Sequence, residues 1–236
     1  MQLIWDSLPI ILLGARSTVS ITLIAVTLGC VIGLFAGIAR LARNRAVRLL
    51  ATAYVDFFRG TPLLVQIFMV YFGLPQVADS FQHYLMATFS IPQIWQSTHI
   101  NPFPAAIIST SLNSGAYIAE IFRAGVQSIE RGQMEAARSL GMTHAQAMRF
   151  VILPQAFKRV IPPLGNEFVA MLKDTSLLSV IGFEEMARRG QMLIALTYKP
   201  FQIWTTVALI YLLMTFVISR FVDYLERRLK TGDDHR

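Results

Sequence analysis

The chain has 236 residues, of which 54% are apolar and only 15% charged, against about 25% charged residues in an ordinary soluble domain. The charges are bunched at the ends of long uncharged stretches. That distribution points to a polytopic membrane protein, and it argues against the nucleic-acid binding that a net charge of +7 would otherwise suggest.

Cys30, the single cysteine, lies in an apolar run and reads as a small packing residue; one cysteine makes neither a disulfide framework nor a thiolate metal site. The N-terminus, M-Q-L-I-W-D-S-L-P, has Asp6 and no basic region, so a cleaved signal peptide is not expected. No internal repeat is visible, and no G-x-x-x-x-G-K-[ST] occurs, so any ATP used would be bound by another subunit.

Residues 1–16 are expected to form a segment outside the membrane, and 17–39 the first transmembrane helix. The latter is uncharged between Arg16 and Arg40 and long enough for an apolar layer of about 30 Å. Gly29, Gly33 and Gly37 make a stripe of small residues on one face. Such a stripe lets helix backbones approach closely, either within one subunit or at a dimer seam. Arg40, Arg43, Arg45 and Arg48 follow with no acidic residue among them, which places this end in the cytoplasm and the N-terminus outside. Leu49 to Phe58 reads as a partly amphipathic helix broken by Gly60 and Pro62, with a second span at 61–78.

Residues 80–101 carry Gln82, His83, Gln93, Trp95, Gln96 and His99 and read as a wet outer loop. The two histidines, sixteen residues apart, have no metal-ligand spacing. The third span is 102–123. Asn113, Ala116, Tyr117 and Glu120 recur on one of its faces at spacings of three and four. An ionisable residue in an apolar span is costly and marks a functional candidate. Two readings of Glu120 stand: a polar cavity along the pathway, or the cytoplasmic end of the helix beside Arg123.

A polar, basic hairpin follows at 132–154. Gln133 to Leu140 are good helix formers, and Gly141 stands where a helix ends in a residue free to take positive φ. Thr143 with Gln146 forms a capping box for a second helix, which Pro154 is expected to stop. The fourth span, 160–182, is expected to be broken, because Pro162, Pro163 and Gly165 lie at its start and Glu167, Lys173 and Asp174 in its body. Broken helices with ionisable residues tend to line cavities. Glu167 and Asp174, seven residues apart, share a face and could meet an ammonium group, while Lys173 could meet a carboxylate. Alternatively, Lys173 and Asp174 anchor the outer end of the helix. Topology places 183–199 outside, where Arg188, Arg189 and Lys199 run against the positive-inside expectation; a re-entrant or docking segment would account for them. The last span, 200–221, leads to a basic cytoplasmic tail, 225–236.

The hairpin resembles the EAA loop of ATP-binding-cassette importer permeases: E-A-A, three residues, G, nine residues, I-x-L-P. Glu135, Ala136, Ala137, Gly141, Leu153 and Pro154 match, and Val151 stands where isoleucine is usual. F-R-G-T-P-L-L-V-Q at 58–66, N-S-G-A-Y-I-A-E at 113–120 and K-D-T-S-L at 173–177 resemble segments of the histidine, glutamine and other polar amino acid permeases of type I importers. The resemblance implies an all-α polytopic protein with about five transmembrane helices, residues 17–224 forming a type-1 transmembrane domain. It also implies dimerisation with a second copy or a paralogue, separate ATPase subunits inside, and an extracytoplasmic amino acid-binding protein outside. The six hairpin residues would then couple the chain to the ATPase. Asn113, Tyr117, Glu120, Glu167, Lys173 and Asp174 would line the substrate pathway, with no metal and no cofactor bound by this chain. The setting implied is a bacterial inner membrane.

Two other classes compare poorly. A membrane enzyme needs a nucleophile–base or metal constellation inside the spans, yet His83 and His144 fall outside them. An ion-coupled secondary transporter could carry protons on Glu120 and Glu167, but it needs no cytoplasmic hairpin and usually shows an internal repeat.

Overall fold

The computed structural model describes residues 2–90, 92, 93 and 99–230, and among these it contains helices and no strand. Ile91, and Trp95 and Gln96 of the expected outer loop, lie outside the described residues, as does the end of the tail, 231–236. Chain order runs α1 (Gln2–Ala39), α2 (Arg45–Gly60), α3 (Leu63–Phe68), a π-helical turn (Met69–Gly73), α4 (Leu74–Phe89), α5 (Pro102–Gln127), α6 (Arg131–Ser139), α7 (His144–Ala147), a second π turn (Met148–Ile152), α8 (Leu153–Asp174), a 3₁₀ turn (Thr175–Ile181), α9 (Met186–Thr197) and α10 (Pro200–Lys230). Among the described residues, three stretches are both long and apolar enough to cross a membrane: Leu3–Ala39, Leu63–Phe89 and Pro200–Arg228. The expected third and fourth spans, α5 and α8, have the length but are more polar. In α5 that polarity is interior, with Ser109, Thr110, Ser111, Asn113 and Ser114 all buried.

The bundle is built around the pairing of α1 with α5. A Cβ on Gly33 would stand 2.8 Å from the Gly115 carbonyl oxygen and 2.9 Å from the Ala119 nitrogen, and one on Gly29 would stand 3.0 Å from Ser114 Cβ. Gly115 faces the other way, and a Cβ there would lie 2.8 Å from both Ile32 and the Tyr54 hydroxyl. The small-residue stripe is therefore spent on packing inside one chain. Gly165 is likewise a close approach rather than a flexible point, since a Cβ there would lie 2.4 Å from Val222 on α10.

Several expectations change. The first helix starts at Gln2, not at 17: Ile11 and Ala15 are buried in a cluster with Met186, Leu193, Ile203 and Val207. The second span does not stop at 78 but continues to Phe89, taking in the first part of the expected loop. Pro154 does not end the second hairpin helix. The π turn at Met148–Ile152 widens the backbone just ahead of it, Leu153 stays in the α region (φ −61°, ψ −40°), and Pro154 sits at the π-to-α junction, where the altered hydrogen-bond register accommodates its ring and missing N–H. Pro162 and Pro163 also lie inside α8 without ending it. The chain is thus helical without interruption over residues 144–174, about 46 Å. It gives way to the 3₁₀ turn, which closes at Gly182 with φ +79°.

Segment 183–199, expected to be polar and outside, is largely α9, docked on α1 and α10. Arg189 pairs with Glu184 at 3.1 Å, and Arg188 donates to Gln191, so two of its three cations are engaged locally. Glu185, fully buried, caps α9 by accepting from the Ala187 and Arg188 N–H groups at 2.7 and 2.6 Å; its carboxylate also accepts from the Tyr211 hydroxyl of α10 at 3.0 Å.

Replacing Gly33 by Ala should destabilise the chain by about 1–3 kcal/mol, the usual cost of overpacking a seam of backbone atoms. Gly37→Ala, whose added methyl would meet nothing closer than 3.5 Å, should stay within about 0.5 kcal/mol. Thermal melting of the two variants in detergent checks the contrast.

Candidate functional site

The hairpin is stiff because each of its ends is hydrogen-bonded. At the end of α6 the Gly141 N–H donates to the Arg138 carbonyl and the Met142 N–H to that of Ala137, at 3.1 and 3.2 Å, with Gly141 at φ +85°. This satisfies carbonyls that a helix end leaves free, and it requires the left-handed conformation that only glycine adopts cheaply. The Arg138 guanidinium adds a donor to the Met142 carbonyl at 2.8 Å. At the start of α7 the capping box forms as the sequence implies: the Gln146 N–H donates to Thr143 Oγ1 and the Thr143 N–H to Gln146 Oε1. The base of the hairpin is held by Ile129, Ile152 and Ala156, with Met134 and Met148 packed on them.

Within this frame Glu135, Ala136, Gly141, Leu153 and Pro154 are exposed. Ala137 is not: it is buried inside the hairpin, as is Ala147 in the facing helix. It belongs to the packing between the two helices and not to an outer docking surface. Leu140, which sequence reasoning treated only as a helix former, is 83% exposed beside Gly141. Its apolarity next to a polar, basic run was the available signal.

The expected pathway residues separate into three places. Asn113 is consumed inside the fold. Its amide donates to Gln66 Oε1 at 2.9 Å, and Gln66 Nε2 donates in turn to the Phe58 and Thr61 carbonyls and to Thr61 Oγ1. Together with the bond from the Tyr54 hydroxyl to the Leu112 carbonyl, this network fixes the bend between α2 and α3 against α5.

Glu120 sits among guanidinium groups. It pairs with Arg40 at 2.9 Å, takes two donors from Arg123, and has Arg59 at 3.8 Å; the Arg59 guanidinium lies 5.6 Å over the Tyr117 ring. The pairing with Arg123 is the one named in the helix-end reading, while Glu120 also borders a cavity with Arg59 and Tyr117, as the cavity reading has it. The two distant partners, Arg40 and Arg59, could not be paired with Glu120 from local spacing.

Glu167 lies in the bundle, half-buried, where its carboxylate accepts from the Ser114 hydroxyl of α5 at 3.0 Å. Ser114 also packs on Gly29 of α1, so α1, α5 and α8 meet at this carboxylate. Lys173 and Asp174 are exposed at the end of α8, Asp174 about 10 Å further along the rod on the same face as Glu167. No group of three or more His, Cys, Asp or Glu residues with metal-binding geometry occurs among the described residues.

The chain's relatives share this architecture. It is 40% identical over 227 residues to the glutamine transport system permease protein GlnP of Escherichia coli (strain K12), covering 96% of each chain. It is 34% identical over 226 residues to the arginine transport system permease protein ArtQ of Bacillus subtilis (strain 168), covering 96% of this chain and 95% of that one. A crystal structure of an amino acid ABC transporter with histidines contains a chain that superposes with a TM-score of 0.82 at 39% identity, over 94% of this chain and 95% of that one. Inward-facing structures of the MetNI methionine ABC transporter share the fold, with a TM-score of 0.70 at 19% identity. Residues 29–231 match the family described as binding-protein-dependent transport system inner membrane component, and the chain belongs to that family.

Proposed function

We propose that this chain is the permease subunit of an ATP-driven amino acid importer. It forms the translocation pathway and performs no covalent chemistry of its own. The observation that carries this reading is the unbroken helical rod over residues 144–174. Its first turn is the second arm of the capped hairpin, and about 35 Å further on it carries Glu167. A displacement of the hairpin by a partner thus has a continuous helix along which to reach the pathway carboxylate.

In this reading the hairpin is the coupling element. Exposed Glu135 meets a basic group on an ATPase subunit, Ala136 lets the partner approach closely, and Gly141 makes the turn. Leu153 and Pro154 fix the angle at which the rod leaves the hairpin, and Ala137 keeps the two arms together. ATP is bound by the partner ATPases and not by this chain. A second permease copy or a paralogue completes the pathway, and an extracytoplasmic binding protein delivers the amino acid. The chain lies in a bacterial inner membrane with its N-terminus outside and its C-terminus in the cytoplasm. Glu167, with Asp174 above it, offers the negative charge that an amino acid ammonium group requires, and Lys173 is placed for a carboxylate. Asn113, Tyr117 and Glu120 shape and brace the inner part of the same pathway.

Gly141→Asp and Glu135→Lys should leave the amount of protein in the membrane unchanged while lowering ATP-dependent uptake about tenfold or more. Uptake in membrane vesicles measured against ATP hydrolysis separates uncoupling from loss of the protein. Full uptake in both variants, or uptake that persists without ATP and collapses with the proton gradient, would count against the coupling role.

Glu167→Gln and Asp174→Asn should alter transport rate or amino acid selectivity more than assembly. Competition between labelled glutamine, arginine and histidine in reconstituted vesicles, alongside size-exclusion profiles, is the measurement. Wild-type rates with unchanged selectivity in both would remove these residues from the pathway.

A further inference from the structure

A cavity of about 420 Å³ opens between α2, α5 and α8, and Glu167 is not among the residues that line it. Arg59 and Arg159 stand on its wall with Glu120, and Ile121, Ala124 and Pro163 supply an apolar side. Its charge balance is uneven. Both oxygens of Glu120 are taken by Arg123, and one of them also by Arg40 at 2.9 Å, which leaves Arg59 at 3.8 Å with 41% of its side chain exposed. Arg159 spends one nitrogen on the neutral Ser128 carbonyl, and among the described residues no carboxylate pairs with it. One carboxylate thus stands against several guanidinium groups, and two of these line a partly apolar space.

From this geometry we infer that the cavity is an oxyanion site: it binds a carboxylate or phosphate between Arg59 and Arg159, with the apolar part of the ligand against Ile121, Ala124 and Pro163. Guanidinium groups suit this task because their planar donor pairs match the two oxygens of such groups. The Tyr117 ring holds the Arg59 guanidinium from one face and leaves its edge for a ligand. Two molecules carry this chemistry at the inner end of a permease: an amino acid leaving the pathway by its carboxylate, and an anionic phospholipid, for which basic pockets between helices are known receptors. The site is independent of how transport is energised, so it stands or falls apart from the coupling role of the hairpin.

The test is arginine labelling with phenylglyoxal. The full chain, with the subunits that purify alongside it, is placed in phosphatidylcholine nanodiscs, and modification of each arginine is followed by peptide mass spectrometry. Inorganic phosphate or L-glutamine is added at constant ionic strength in one arm, and phosphatidylglycerol replaces part of the lipid in the other. An occupied site should slow labelling of Arg59 and Arg159 by about fivefold or more, with no change at Arg43 in the α1–α2 connection or at Arg45, the first residue of α2. Slowing by phosphate and glutamine identifies a soluble oxyanion, and slowing by phosphatidylglycerol alone identifies the lipid headgroup. In R159Q the slowing at Arg59 should disappear, and in R159K part of it should return. No slowing in any arm, or equal slowing at Arg43 and Arg45, overturns the proposal.

Discussion

Inside a bilayer a polar group has no water to fall back on, so each one must find its partner within the protein. That constraint decides much of this fold. Asn113 and Gln66 answer one another and together take up the carbonyls freed where α2 turns into α3. Glu120 draws in the ends of α1 and α2 through Arg40 and Arg59. Glu185, wholly buried, is tolerated because two backbone N–H groups and a tyrosine hydroxyl point at it, and in return it fastens α9 to α10. The polar residues are thus the pins of the bundle. Apolar packing, largely exchangeable with lipid, supplies close contact but little direction.

The close contact itself rests on residues without side chains. Gly29 and Gly33 on α1 and Gly115 on α5 bring two backbones near enough that a methyl group on Gly33 or Gly115 would overlap a neighbour. This pairing holds Ser114 against α1 and presents its hydroxyl to Glu167. The carboxylate assigned to the pathway is positioned by the seam rather than by its own helix.

Much of this was legible in the sequence where the determinants are local. The capping box at Thr143 and Gln146 and the positive φ at Gly141 both follow from residues within a few positions of one another. The prolines misled, because a proline breaks a helix only if the backbone ahead of it cannot widen. The π turn before Pro154 does widen, and nothing in the residues of 148–152 announces it. Pairing was the other gap. Asn113 and Gln66 are 47 positions apart, and Arg40 and Glu120 are 80 apart, so a residue that looks like an unpaid charge in a span can be fully answered by one that sequence order does not bring near. Ala137 shows the same limit at short range, since motif spacing alone does not say which of two adjacent alanines faces inward.

The 3₁₀ turn at Thr175–Ile181 has a mechanical meaning as well as a structural one. Leu178 and Ile181 belong to the cluster that contains Ile21 of α1, Leu63, Ile67 and Val70 around the start of the second span, and Ala105 and Ala106 of α5. The continuous helix over 144–174 ends at this turn, which closes at a glycine with φ +79°. Work done at the hairpin would then be delivered as a change in how that apolar cluster closes. Under the proposed coupling role, the far end is a valve seat and the rod its stem.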